Sequence, residues 1–155
     1  MQAPGFRWFG FFWKLLPKGL RVGATRLVQH KFMVSVVAVV TNQDGKVLIL
    51  DHVLRPGSGW GLPGGFMEPF EQPEESIRRE MREEVGLELQ DVRLVIVRSL
   101  GRHIEVIYRA DAFGEARVMS REITQFGWFD PTQLPADLNA GQRTLVARIL
   151  ADKFD

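Results

Sequence analysis

Apolar positions along the chain change their spacing several times, and each change marks an element. Phe32 to Thr41 (FMVSVVAVVT) is a Val-rich apolar run, short enough for a buried strand. Asn42-Gln43-Asp44-Gly45 reads as a hairpin turn, and Lys46 to Val53 as the returning strand. From Arg55 to Gly65 (RPGSGWGLPGG) Gly and Pro are too frequent for a helix, which predicts a shaped loop. Residues 73 to 85 (PEESIRREMREEV) predict a helix: Pro73 suits a first turn, acids fill the N-terminal end and Gly86 stops it. Leu89 to Leu100, His103 to Phe113 and Gln125 to Phe129 read as strands. Asn139 to Phe154 predicts an amphipathic helix with Leu145, Val146, Ile149 and Leu150 on one face. Strands around a mid-chain helix, with a second helix at the end, indicate an α/β sandwich with a mixed sheet over residues 32–155. Residues 1–31 stand apart as an arm.

Composition adds exclusions. The 155 residues suit one domain, or one domain plus a short arm, and 45% hydrophobic residues supply a core. The absence of Cys removes disulfides, thiolate nucleophiles and Cys-based zinc sites. The net charge of +1 conceals an asymmetry. The first acid is Asp44, preceded by Arg7, Lys14, Lys18, Arg21, Arg26 and Lys31, whereas the remainder holds all 19 acids against 14 bases. Phe6, Trp8, Phe9, Phe11, Phe12 and Trp13 also crowd into the arm. The apolar run at Phe11 to Leu16 is interrupted by Lys14 and stopped by Pro17, far short of the ~20 residues needed to span a membrane. No small-residue cleavage site follows it, so it is a poor secretory signal, and a cytoplasmic location is expected, with membrane-peripheral contact as its alternative. Three partners suit the basic aromatic arm: the acidic body or a second copy in a homodimer, an anionic membrane surface, and nucleic acid. The first is favoured, and the acidic body argues against a broad nucleic-acid groove.

The mid-chain helix carries the candidate chemistry. At about 100° per residue, Glu80, Glu83 and Glu84 share an arc of roughly 100°, and Ile77, Met81 and Val85 occupy the adjoining one. Like charges at these spacings repel unless a cation is present; Arg78 and Arg79 are placed to relieve part of this. Such an arc suits either a solvated acidic face or a hard divalent cation.

The preceding loop decides between them. From Gly65 the chain reads GFMEPFEQPEESIRREMREEVGL. Gly65, Glu71, Arg79, Glu80, Met81, Glu83, Glu84, Gly86 and Leu87 match every defined position of the 23-residue box of the Nudix hydrolases, and Trp60 and Leu62-Pro63-Gly64 also resemble that family. The resemblance implies an α/β/α sandwich and hydrolysis of a nucleoside diphosphate linked to another moiety: a nucleotide sugar, a dinucleotide or a nucleoside triphosphate. It implies Mg²⁺ or Mn²⁺ held by Glu80, Glu83 and Glu84, with Glu71 and Arg79 in support and backbone at Gly64 and Gly65 admitting metal and substrate. Glu83 or Glu84 would serve as base. Glu122, six residues before Trp128, looks like an acid that reaches the metals from outside the box.

One departure is Phe70, where many members have Gly; it is expected to pack on the domain. Strand alternation places His103, Glu105 and Ile107 on one face, expected to be exposed. The family's ADP-ribose and dinucleoside polyphosphate markers are not met: Arg102 and His103 occupy the first region, and Tyr108 lies too far along for the second. A missing Cys argues against a diphosphate isomerase. The alternatives kept are an RNA-cap or other nucleic-acid-associated Nudix protein, and a nucleotide-binding module without catalysis.

Overall fold

The computed structural model describes residues 13–55 and 57–152 and divides the chain into two compact units, residues 1–32 and 33–155. The expectation of an apolar surface over residues 6–12 lies outside the described residues.

In the first unit, helix α1 (Lys18–Val28) starts after Pro17, whose missing N–H costs nothing at a helix N-terminus. The arm is therefore partly helical, which the aromatic and basic content did not predict. Leu20, Ala24 and Leu27 share one side and Lys18 and Thr25 the other, with Arg21 and Val28 on the border between them. No residue of α1 is buried; Leu20 and Leu27 remain 62% and 89% exposed.

The second unit is a seven-stranded mixed sheet between two helices. Strand β1 (Met33–Thr41) runs parallel to β6 (His103–Phe113), with Met33 opposite His103 and Thr41 opposite Asp111. Strand β5 (Glu88–Leu100) lies antiparallel on the far side of β6. Strand β2 (Val47–His52) meets β1 at the hairpin and then pairs with β7 (Ile123–Phe129) and with a short β3 (Trp60–Gly61). Strand β4 (Gly64–Phe66) adds to β1, with Val36 opposite Gly65 and Val37 opposite Gly64. The Gly- and Pro-rich segment expected to be loop therefore carries two short strands at its C-terminal end, the rest being irregular among the described residues. Each borrows its hydrogen bonds from a longer neighbour, a pairing that local composition cannot signal.

Alternation in β1 explains both helices. Val36, Ala38 and Val40 face α2 (Pro73–Val85), packing in one cluster with Ile77, Met81 and Val85. Val37 and Val39 face α3 (Ala140–Leu150), packing with Leu145, Val146 and Ile149. Buried on both faces, Val36 to Val40 are all apolar, and the two polar positions of the strand, Ser35 and Thr41, are buried with side-chain hydrogen-bond partners, His103 and Asp111. Helix α3 ends four residues earlier than expected and is capped by the Asn139 side chain, which accepts from the Gly141 N–H. In α2, Gln72 and Glu75 form a reciprocal capping box, and Gly86 at φ 71° closes the C-terminus. Both ends of the carboxylate-bearing helix are thus pinned.

Candidate active site

Strand β4 and helix α2 bring the phosphate-loop and carboxylate candidates together. Gly64 sits at φ 140°, and a Cβ there would lie 2.1 Å from the Val36 carbonyl oxygen. A Cβ on Gly65 would lie 2.4 Å from Glu80 Oε1. Only glycine lets β4 approach the helix this closely, so backbone and carboxylate occupy one niche.

Arg79 is the hub. It donates to both Glu71 oxygens at 2.9 and 3.2 Å, to Glu80 at 2.8 Å and to Glu83 at 3.1 Å. It also donates to the Phe66 carbonyl at 3.2 Å and to Ser76 Oγ at 3.3 Å. The paired guanidinium holds the Glu71 carboxyl down at about 2. Arg78 is not part of this compensation: it pairs with Glu74 at 2.8 Å and donates to the Leu89 carbonyl. Its position one residue earlier turns it off the Glu80–Glu83 border, a distinction of 100°.

The three helix carboxylates differ. Glu83 is exposed, Glu80 is half-buried and Glu84 is buried at 6%. Burial, reinforced by neighbouring Glu80 and Glu122, pushes the Glu84 carboxyl up to about 8, against the Gly64 N–H and Arg55, which favour its ionised form. The Gly64 N–H donates to Glu84 Oε2 at 3.3 Å. Burial also raises Glu80, against its bond to Arg79.

His52 Nδ1 lies 3.8 Å from Glu84 Oε1. The separation meets an ion-pair distance, but burial and then the Arg55 charge push His52 down to about 4. It therefore stands neutral beside Glu84 at pH 7, and the contact is not an ion pair.

Glu122 arrives from outside the helix. Its carbonyl accepts the Val53 N–H at 2.8 Å, tying residue 122 to the end of β2 next to His52. Its side chain is exposed, and its charge is felt at Glu84.

The face bearing His103 and Glu105 is sheltered, not exposed as expected. His103 Nε2 is 2.7 Å from Ser35 Oγ, Glu105 is held by Arg98 at 2.7 Å, and Ile107 is fully buried. Ser35 from β1 and Arg98 from β5 reach His103 and Glu105, and Ile107 packs in the cluster with α3, long-range features that alternation alone does not report. His52, Arg55 and Arg98 were not singled out from sequence. His52 and Arg55 had only their position at the Gly-rich loop as a local signal, and Arg98 in β5 had none; burial and convergence are tertiary.

Phe70 is also corrected. It is fully exposed and sits at φ 71°, in the left-handed region. The turn demands a conformation that glycine adopts without strain, so Phe pays in backbone energy and gains no packing. Phe70→Gly is expected to raise unfolding stability by about 0.5–1 kcal/mol, less any entropy the freer unfolded chain gains. Denaturant titration with an unchanged m-value checks this; a loss of stability would mean the ring has a partner.

Among the described residues, no three His, Asp or Glu side chains close into a metal cage. The donor set is nonetheless all oxygen, and Glu80 and Glu83 turn to the Arg79 cation instead. Among the described residues, the buried Glu84 carboxyl accepts one hydrogen bond, a long one from the Gly64 N–H. Open, oxygen-only and short of positive charge, the niche fits a hard cation that keeps several waters and takes few protein ligands.

The NUDIX domain family model matches residues 31–149. The chain belongs to the NUDIX family. The 8-oxo-dGDP phosphatase NUDT18 of Mus musculus is 35% identical over 111 residues, covering 68% of this chain and 34% of the mouse protein. A MutT-like protein of Streptomyces ambofaciens is 32% identical over 104 residues, 65% of this chain and 66% of that one. This NUDIX chain thus spans about a third of the mouse relative's length and just under two thirds of the Streptomyces one's. Among solved structures, the MutT NUDIX hydrolase of Burkholderia pseudomallei superposes with a TM-score of 0.68 at 28% identity, covering 77% of this chain and 98% of that one. The α/β/α arrangement and mixed sheet of this NUDIX chain are those expected from its sequence.

Proposed function

We propose that the domain is a Mg²⁺- or Mn²⁺-dependent hydrolase that cleaves the diphosphate linkage of a nucleoside diphosphate derivative. The observation that carries this is the niche at Gly64 and Gly65. There, backbone that tolerates no Cβ meets Glu80 and Glu84, with Glu83 on the same helix border. Glu80, Glu83 and Glu84 would hold the cation. Bound there, it would offset the diphosphate charge and acidify a water. Arg79 keeps Glu80 and Glu83 extended toward the niche, and Glu71 fixes Arg79 from behind. Water attacks phosphorus in line, its proton passing to a carboxylate, for which Glu83, Glu84 and Glu122 are the candidates. Glu122 is favoured by its field at Glu84 and its separate attachment to β2.

The names of the relatives point toward nucleotide substrates, 8-oxo-dGDP for the mouse protein. A hydrolysis screen of nucleotide sugars, dinucleotides, nucleoside triphosphates and capped RNA with Mg²⁺ or Mn²⁺ tests the reading. Metal-dependent phosphate release that stops in excess chelator is expected. Cleavage of capped RNA alone would favour the nucleic-acid alternative, and tight binding without turnover a binding module.

For α1 we propose contact with an anionic membrane surface, one of the three partners that the arm suits. Its leucines are exposed on one side, Lys18 lies on the other with Arg21 on the border, and no acid precedes Asp44. Among the described residues no helix is long and apolar enough to cross a membrane. The full chain should sediment with phosphatidylglycerol vesicles at low salt, and Lys18→Glu with Arg21→Glu should reduce this about tenfold or more, at about 1 kcal/mol per base. A chain that ignores such vesicles overturns the membrane proposal; a dimer in solution, lost in Leu20→Ser with Leu27→Ser, would assign the face to a second copy.

A further inference from the structure

Beside the carboxylate niche lies a cleft of about 360 Å³, lined by Arg55, Trp60, Arg98, Asn139 and Gln142 among others. Its two cations differ in how they are held. Arg98 is neutralised by Glu105, which accepts from its Nε at 2.7 Å. Arg55 has no such partner: no ion pair joins it to a carboxylate among the described residues.

Arg55 is half-buried, yet its side-chain hydrogen bonds among the described residues are stretched, 3.4 Å to the Leu62 carbonyl and 3.5 Å to Gln142 Oε1. A guanidinium carries five N–H donors, and both of these contacts lie at the outer limit of a bond. Removing it from water with so little in return is unfavourable unless an anion completes its shell. Its location is built in. A Cβ on Gly61 would fall 0.9 Å from Arg55 Nη1 and 2.1 Å from Cζ, so the guanidinium occupies the space that a side chain at position 61 would take. Gln142 Oε1 also accepts the Leu62 N–H at 3.3 Å, tying α3 to the strand beneath Arg55. The charge of Glu84 is felt at Arg55, so the guanidinium lies next to the hydrolytic niche.

We propose that Arg55, seated on Gly61, binds a phosphate oxygen of the substrate diphosphate on the side away from the carboxylate helix. This rests on the hydrolase reading for the identity of the ligand. The planar fork suits two oxygens of one phosphate, a geometry that an ammonium does not reproduce. Positive charge from Arg55 on one side and from the cation on the other would hold the linkage across the niche.

The test uses the full chain with Mg²⁺ and two readouts. One is calorimetric binding of methylenediphosphonate, a diphosphate that water does not cleave; the other is kcat/KM on whichever diphosphate the wild type hydrolyses. Arg55→Gln should lower both about 50-fold or more, and Arg55→Lys should recover only part. Gly61→Ala should mimic Arg55→Gln, because its methyl group evicts the guanidinium while the arginine remains. The metal-induced rise in Tm should be unchanged in all three, which separates anion binding from folding and metal binding. Binding and kcat/KM within threefold of wild type in both Arg55→Gln and Gly61→Ala would overturn the proposal, as would a wild type that does not bind the probe. Arg55-dependent binding without hydrolysis of any substrate would sink the hydrolase reading and leave the anion site; hydrolysis indifferent to Arg55 would do the reverse.

Discussion

Glu83→Gln should lose roughly 10²-fold or more in turnover, about 3 kcal/mol at the transition state, while the fold stays intact. Glu83 is exposed and touches only Arg79 among its ion-pair partners, so the amide leaves no buried charge uncompensated. The substitution keeps the shape and removes one of the charges proposed to hold the cation. It also relieves repulsion with Glu80, at i,i+3, which was expected to make the metal-free fold no less stable. Arg79 already offsets that repulsion, so the structure reduces the expected gain to a few tenths of a kcal/mol. Added Mg²⁺ should raise the Tm of the wild type more than that of the mutant, because the cation binds only the folded state. Full turnover in Glu83→Gln, or equal metal-induced shifts, would remove Glu83 from the ligand set.

Arg79→Met should destabilise the metal-free domain by about 2–4 kcal/mol, the largest stability effect expected of any change at the site. The side chain is only 20% exposed and joins Glu71, Glu80 and Glu83. Methionine keeps the packing volume but leaves three carboxylates facing one another. The pH dependence gives a second signature. Arg79 depresses the Glu71 carboxyl from an ordinary 4.5 to about 2 in the folded state. A depressed acid stabilises the fold above its unfolded value, and that contribution is lost as pH falls from about 4.5 through about 2. The wild type should therefore lose stability over this window, and Arg79→Met should show a flatter acid limb. Parallel pH profiles, measured by urea unfolding, would mean that Glu71 does not depend on Arg79.

Much of this was readable locally. The apolar run Val36 to Val40 announced a buried strand, because each of its faces packs against a layer of the sandwich. The 3.6-residue spacing of Ile77, Met81 and Val85 placed the carboxylates on the border of a buried stripe, and Gly86 marked the helix end. Glycines at 64 and 65 signalled close approach of backbone. What lay beyond reach was everything set by long-range pairing. The unequal burial that separates Glu84 from Glu83 depends on β4 lying across the helix. The neutral His52 and the under-partnered Arg55 depend on β2, β3 and α3 meeting at one end of the sheet. The sheltering of Glu105 depends on the antiparallel β5–β6 register that sets Arg98 opposite it, and the strain at Phe70 on a left-handed turn that its neighbours alone do not impose. Residue type and spacing are carried by the chain itself and determine which chemistry is available. Burial, and with it the charge state and unmet valence of each group, is a property of the assembled layers, since only tertiary packing removes water from a side chain.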